Sequence, residues 1–488
     1  MKNLRLVHTA GLVAVTVVTA YVFLHYSDYV YKFQALSFFG KGLEYFISCL
    51  REPGGLLLWV GRFLTQCCTF PVLGVLLLVL VTAACSAVLI YGVRRQKGMA
   101  FIGILPSLLV FLFIARLGYR IFLVRADALI FTQPLGLLTA SLLLLWLQRS
   151  RMNGYVLSAA IVVLGYPFFG FYALLPVLVH AVRKPWNLLF VAVVPLVYYL
   201  VLYDVLALKF VWLAGTPFLD FVDDFAGVWP LLAAWAAFAC AGAIPVEKSE
   251  TGWPMAIVSL MVYAASVLSL YQMPCRSALF HWQMKAEREI ENGQWASALA
   301  TCTQSKVTND ILIAYRNIAL YNLGRLKDDC IKYSFTIQRS EIDAFGVATS
   351  RFAGPTIFYY SGMLNFCSRW SMDLNLWAQP GVERYKYLAK VSLIEGEYEL
   401  AMKYIDRIAT VPFQKKWAKK YAAYAQNPGL FAEDPEYVSL KPLQDHGEDS
   451  WLASDDAPTA VLMFYARTQG GTPEFDEWHY LAKMISLY

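Results

Sequence analysis

The chain has 488 residues, of which 58% are hydrophobic and only 16% charged, and its formal net charge is +6. Water-soluble domains are about a quarter charged, so composition excludes a protein that is soluble throughout. The surplus cations sit in short loops between apolar runs and form no stripe interleaved with aromatics, which argues against a nucleic-acid partner.

The shortage of charge is uneven. Residues 1–275 hold 18 Lys and Arg against 10 Asp and Glu, whereas residues 276–488 hold 23 against 25. A compositional step of this kind marks a domain boundary, and it falls near Met273-Pro274-Cys275.

A membrane-crossing helix needs about 20 apolar residues, because the hydrocarbon layer is roughly 30 Å thick. Its backbone must be helical, because lipid offers no hydrogen-bond partners. In chain order the apolar runs predict about nine spans: 7–25, 71–93 led by Pro71, 99–115, 128–148, two short ones within 154–182, then 187–206, 228–246 and 253–273. The stretch 154–182 is long for one upright helix and short for two. Gly165-Tyr166-Pro167 is expected to break it, since Pro167 cannot donate to residue 163.

Lys2 and Arg5, Arg94-Arg95-Lys97, Arg149 and Arg151, Arg183-Lys184 and Lys248 then share one side, read as cytoplasmic by the positive-inside rule. Loops 26–70, 116–127 and 207–227, and all of 276–488, are expected on the opposite, periplasmic side. Reading 154–182 as one span would reverse everything after it. The first run leads into His25-Tyr26 rather than a small-residue cleavage site, so it is expected to stay as an anchor.

Beyond the boundary, Asn292-Gly293-Gln294-Trp295 leads to Ala298, and Glu395-Gly396-Glu397-Tyr398 leads to Ala401. Both read Gly-x-aromatic-x-x-Ala. A weaker copy is Leu323-Gly324-Arg325-Leu326, with Asp329 at the Ala position. The glycine allows a left-handed turn between two helices, the aromatic opens the second helix, and the small residue lets the pair approach closely. Tyr387-Leu388-Ala389-Lys390 recurs as Tyr480-Leu481-Ala482-Lys483, which predicts a further first helix near the C-terminus. Segments 343–382 and 426–458 are rich in Gly, Pro, Asp and Ser and are expected as interrupting loops. The pattern resembles the tetratricopeptide repeat, whose period is about 34. The other reading is an irregular helical domain with chance glycine spacing. The expected fold is therefore all-α: a polytopic transmembrane helical bundle over 1–275, then a soluble tetratricopeptide-like helical-hairpin domain over 276–488.

Among nine cysteines, Cys85 and Cys240 lie within predicted spans and read as packing residues. Cys49, Cys67, Cys68, Cys275, Cys302, Cys330 and Cys367 fall on the outer side, odd in number and irregular in spacing, so no pairing and no zinc site follows. No phosphate-binding loop, zinc-protease helix, nucleophile elbow or dinucleotide fingerprint is present.

The informative segment is the first outer loop. Asp28 follows the first span almost directly, and Glu44 lies among Lys32, Lys41, Arg51, Tyr31, Phe38 and Trp59, an amphipathic composition suited to a membrane surface. The next outer loop offers Arg116, Arg120 and Arg125. A carboxylate acting as general base and arginines holding a departing lipid phosphate are what transfer from a lipid-linked sugar requires. The layout resembles the C-fold integral-membrane glycosyltransferases. That resemblance implies Asp28, with Glu44 as substitute, as catalytic carboxylates, and Arg116, Arg120 and Arg125 as phosphate ligands. The family's Asp-Asp pair is matched only by Asp223-Asp224 in a later loop. The plainer reading gives Asp28 a capping role and the arginines head-group contacts. No metal or cofactor is assigned. The acidic turn Asp220, Asp223 and Asp224 reads either as a divalent-cation site or as a solvated loop, and Asp204, within a span, must face protein or water.

Arg51-Glu52-Pro53-Gly54-Gly55, followed by Gly61-Arg62-Phe63-Leu64-Thr65-Gln66 and a Pro-led span, is similar to a family of uncharacterised polytopic membrane proteins from Bacteroidales-type bacteria. That likeness implies an inner-membrane location and brings no assigned activity. Two functions fit: a non-catalytic envelope scaffold binding a protein partner through its helical hairpins, or a glycosyltransferase working on a polyprenyl-linked sugar at the periplasmic face. Membrane lipid is a partner in both.

Overall fold

The structure is a computed structural model that describes residues 2–93, 99–122, 128–201, 208–217, 225–243, 253–272, 278–304, 308–329, 332–333, 350–377 and 380–444. Among these residues the regular elements are all helical, with no strand. The chain divides into two compact units. The first comprises Met1–Phe33, Phe39–Gly118 and Val124–Arg276; the second comprises Gln34–Phe38, Tyr119–Leu123 and Ser277–Tyr488.

The first unit opens with α1 (Lys2–His25), α2 (Ser27–Ala35), α3 (Leu43–Cys49), α4 (Gly55–Gln66) and α5 (Pro71–Ala87). It continues with α6 (Leu105–Arg116), α7 (Leu129–Arg149), α8 (Gly154–Phe169), α9 (Phe171–Ala181), α10 (Asn187–Val201), α11 (Phe225–Ala243) and α12 (Trp253–Tyr271). The centre is α7, which packs on α4, α5 and α9 and buries Phe131, Leu137, Ala140 and Leu144. On the outside, Leu6, Val13 and Val17 of α1, Val72, Leu76 and Leu80 of α5, and Leu260 and Met261 of α12 stay exposed. Apolar surface on that scale marks a lipid-facing or partner-facing belt.

Within such a unit, helices approach through small residues rather than by hydrophobic collapse. A Cβ on Gly61 of α4 would lie 2.7 Å from the Thr132 methyl of α7. One on Gly136 of α7 would overlap the Tyr172 ring of α9, whose hydroxyl donates to Gln133. One on Gly11 of α1 would overlap the Tyr263 ring of α12, whose hydroxyl bonds His8 Nδ1 at 2.8 Å.

The expected nine spans are corrected. Among the described residues, four helices are long and apolar enough to cross a membrane: Leu4–His25, Pro71–Val93, Leu129–Arg149 and Pro254–Tyr271. Five further apolar helices, Ala100–Arg116, Gly154–Phe169, Phe171–Ala181, Asn187–Val201 and Gly227–Ala243, are shorter, at 10–17 residues. At 1.5 Å rise per residue, the 16 residues of Gly154–Phe169 and the 11 of Phe171–Ala181, both with described ends, fall short of a roughly 30 Å layer.

What shortens α8 is also not what the sequence predicts. The helix runs through Pro167 and ends at Gly170, which has φ 56°. Pro167 leaves the Val163 carbonyl without its helical donor, and the Tyr198 hydroxyl of α10 donates to that oxygen instead, at 2.8 Å. The break itself belongs to a junction of three glycines, Gly54, Gly170 and Gly215, all with positive φ. Gly54 N donates to the Pro167 carbonyl and Phe171 N to the Ala214 carbonyl, both at 2.9 Å. A Cβ on Gly54 would lie 3.2 Å from Gly215 Cα, and one on Gly170 would overlap the Ala214 carbonyl oxygen. Here the backbones of three connections meet on left-handed residues, which accounts for Gly54, while Gly55 is required because a Cβ there would overlap the Cys49 carbonyl oxygen.

The second unit holds α13 (Ala278–Glu291), α14 (Trp295–Cys302), α15 (Asp310–Asn322), α16 (Leu326–Asp329), α17 (Ser350–Tyr360) and α18 (Leu364–Trp377). It ends with α19 (Val382–Ile394), α20 (Tyr398–Ala409), α21 (Lys415–Gln426), α22 (Pro428–Ala432) and α23 (Pro435–Gln444). Successive pairs form hairpins, and the first helices α13, α15, α17, α19 and α21 stack on one another in turn.

The turn at Gly293, Gly324, Gly362 and Gly396 is the same device each time. Each glycine has φ between 67° and 79°. Each donates its N–H three residues back, and the following residue donates five back, as in Gln294 N to Glu289 O at 2.8 Å and Met363 N to Phe358 O at 2.9 Å. These two bonds satisfy carbonyls orphaned at the helix end and need a left-handed residue between them. Ala298 and Ala401 are fully buried, as their motif requires. Asp329 is tolerated in the third copy because Arg325 and Lys332 pair with it, at 2.7 and 2.6 Å.

The loops expected over 343–382 and 426–458 are corrected where the chain is described, while 343–349 and 445–458 lie outside the described residues. α17 and α18 occupy 350–377, and α22 and α23 occupy 428–444. Buried Phe352, Ile357 and Phe358 along α17 outweigh the Gly354-Pro355 signal. The unit also takes in two short segments from early in the chain. Ser37 O accepts from Val382 N at 3.2 Å, and Phe38 packs edge-on against Tyr385. The Tyr119 hydroxyl donates to Gln283 Oε1 at 2.9 Å, and its ring packs on Phe280 and Phe352.

Candidate functional site

Asp28 sits half-buried in the first turn of α2, where the helix end favours negative charge. Its neighbour Tyr29 donates a hydroxyl hydrogen bond of 2.7 Å to the Ile114 carbonyl, tying α2 to the last turn of α6. Arg116 lies two residues further on, half-buried, with its guanidinium 5.4 Å from the Trp229 ring centroid. The fold thus ties together the ends of the two helices that carry Asp28 and Arg116.

Of the other expected site residues, Glu44 alone is described within the same unit. Glu44 is exposed in the first turn of α3. Arg120 belongs to the second unit. Arg125 lies outside the described residues, as do Asp204, Asp220, Asp223 and Asp224. Among the described residues, no three of His, Cys, Asp and Glu gather as a metal site.

A second group of residues, which sequence reasoning did not assemble, lies inside the second unit. One face of α19 is apolar: Ala389 and Leu393 pack with Ala401 and Ile405 of α20 and with Ala418 of α21. Along the same helix run Glu383, Lys386, Tyr387 and Lys390, at the i, i+3, i+4 and i+7 spacing of a single face. Neighbouring first helices add Glu287 on α13, Tyr315 on α15, Thr356, Tyr359 and Tyr360 on α17, and Tyr421 on α21, all buried or nearly so. The Tyr387 hydroxyl meets Thr356 Oγ1 at 3.0 Å, and the Thr356 hydroxyl donates to Glu287 Oε1, also at 3.0 Å.

Lys390 is the centre of this layer. Its Nζ donates to Glu436 Oε1 of α23 at 2.7 Å and lies 5.0 Å from the Tyr359 ring and 5.8 Å from those of Tyr387 and Tyr421. Glu436 also accepts from the Tyr360 and Tyr421 hydroxyls, at 3.4 and 3.3 Å. Burial alone would lower the lysine's pKa, but the Glu436 carboxylate overrides it and holds the ammonium charged well above its usual range. Burial, then the charge of Glu287, pushes the Tyr315 phenol well up. Lys386 goes the other way: burial lowers it to about 8, with Glu291 opposing. Strongly displaced titrations in one cluster are a mark of functional sites.

The residues of this layer come from helices far apart in the chain, with Lys390 and Glu436 separated by 46 positions. The Tyr387-Leu388-Ala389-Lys390 string is the one visible signal. No curated protein and no solved structure matches the chain. Residues 2–469 match a family described as of unknown function, DUF6057, and the chain belongs to that family.

Proposed function

We propose that the protein is a non-catalytic scaffold of the bacterial inner membrane, which holds a protein partner through the stacked hairpins of its second unit on the periplasmic side. The supporting observation is the contrast between the two layers of α19. One is filled with Ala, Leu and Ile, as a stack needs; the other carries Glu383, Lys386, Tyr387 and Lys390 among buried tyrosines. A purely structural stack has no use for polar groups that are costly to bury. Repeats of the tetratricopeptide type, which the four glycine turns resemble, offer the extended surface such binding uses. The test is co-purification from native membranes with Lys386→Glu, alongside Lys419→Glu at an exposed position as control. A partner retained by wild type and by the control but lost with Lys386→Glu supports the reading; an unchanged set of partners for both variants refutes it.

A second reading, a C-fold-like glycosyltransferase using a lipid-linked sugar, draws on the Tyr29–Ile114 bond that joins the helix ends carrying Asp28 and Arg116. Asp28→Asn and Arg116→Ala should each alter surface polysaccharide or glycoprotein profiles without altering folding. Unchanged profiles from folded variants end this reading.

A further inference from the structure

The segment Asp434-Pro435-Glu436 carries two carboxylates, and each is met by a lysine and by tyrosine. Glu436 takes Lys390 Nζ at 2.7 Å and the hydroxyls of Tyr360 and Tyr421 at 3.4 and 3.3 Å. Asp434 takes the Tyr424 hydroxyl at 2.6 Å and Lys420 Nζ at 2.9 Å, and also accepts the Glu436 N–H at 3.0 Å. Burial works against charge at Asp434, but the Tyr424 hydroxyl and the Lys420 ammonium hold its carboxyl below the usual range. The receiving groups come from α17, α19 and α21, and the rings on α21 pack on one another: Trp417 stacks on Tyr421 at 4.1 Å, and Tyr421 meets Tyr424 edge-on at 5.6 Å.

The donors belong to helices of the stack, whereas the acceptors lie at the start of α23, Glu436 in its first turn and Asp434 just before it. Two cations and three phenols therefore form a receptor for an acidic pair spaced one residue apart, and the chain's own α23 fills it. Glu436 keeps 24% of its side chain exposed, while Lys390 beneath it keeps 11%, so solvent reaches this contact from the α23 side.

We infer that α23 is a removable latch: Asp434 and Glu436 occupy a two-carboxylate site that an acidic Asp-x-Glu segment of a protein partner takes when α23 is displaced. This rests on the partner-binding reading above and names the chemistry of that partner. Pairing by charge-assisted bonds through fixed phenols gives the site its selectivity for carboxylates.

The test uses the full chain in detergent with a site-specific protease sequence inserted between Gln426 and Asn427. The probe is a fluorescent peptide copying residues 428–444. After cleavage, excess probe should displace the 427–488 fragment and bind the remaining chain, at least tenfold more tightly than it binds the uncleaved chain. Lys390→Met and Lys420→Met should each weaken probe binding to the cleaved chain at least tenfold, and a probe carrying both Asp434→Asn and Glu436→Gln should not bind. A fragment that stays in place at saturating probe, or equal binding of the acidic and the amide probes, overturns the inference. Because the probe is a piece of this chain, a negative result counts against the latch alone, whereas an unchanged partner set in the Lys386→Glu experiment counts against the scaffold.

Discussion

Replacing Gly396 with Ala isolates the backbone term of a hairpin turn. Gly396 has φ 79°, and a Cβ built there meets nothing within 4 Å, so no clash enters the account. The penalty is the left-handed conformation alone, about 1–2 kcal/mol for an L residue. Alanine also restricts the unfolded chain, which returns about 0.4–1 kcal/mol. The net loss is about 1 kcal/mol, or roughly fivefold in the local opening equilibrium. Hydrogen exchange followed by mass spectrometry on the full chain in detergent reads that loss over α19 and α20. Gly396→Asn should lose less than Gly396→Ala, since asparagine tolerates the left-handed region. Gly293 and Gly324 are equally open and lie in separate hairpins, so the triple alanine variant should lose about 3 kcal/mol. Wild-type exchange in Gly396→Ala, or a larger loss with asparagine than with alanine, refutes the reasoning.

Three further outcomes follow from the structure. Tyr198→Phe leaves the Val163 carbonyl without a donor and should cost about 1 kcal/mol, seen as a lower thermal midpoint by circular dichroism; adding Pro167→Ala returns a backbone N–H and should recover part of the loss, and no recovery counts against the account. Gly170→Ala combines a left-handed backbone with an overlap on the Ala214 carbonyl oxygen and should cost about 3 kcal/mol or more, which a melt within error of wild type would contradict. Lys386, lowered by burial to about 8 from an ordinary 10.5, should reach half of its own limiting acetylation rate near that pH. Between these two values the unfolded chain carries the extra proton, so this residue's contribution to stability rises with pH across that window; Lys386→Met should flatten the rise, and an unchanged slope sinks the assignment.

The glycine turns were legible because left-handed backbone leaves a residue-level trace. Gly293, Gly324 and Gly396 announced themselves through what followed them, whereas Gly362 is followed by Met363-Leu364 and lacked the aromatic that betrayed two of the others. The span count was not legible, because hydropathy reports how apolar a run is and not where its helix stops. Gly170 ends α8 through a meeting of backbones at residues 54, 170 and 215, a tertiary fact. Pro167, the residue that looked decisive, was absorbed by a tyrosine on another helix. Asp28 and Arg116 could be picked out from their places beside apolar runs. The Lys390 layer could not, since its charge pairing and its phenols are assembled by stacking rather than by local order.

Gln34–Phe38 and Tyr119–Leu123 belong to the unit whose remaining residues start at Ser277. On the ribosome both pieces emerge long before their partners exist, so Tyr119 waits for Gln283 and Asn309, and Ser37 for Val382. Contacts so distant along the chain slow folding and leave intermediates exposed. A gene fragment beginning at codon 277 would lack both pieces, and its product would present vacant seats against Phe280, Phe352 and Tyr385. Supplying the two missing peptides, or grafting them onto the fragment by loops, is the way to obtain this unit in isolation.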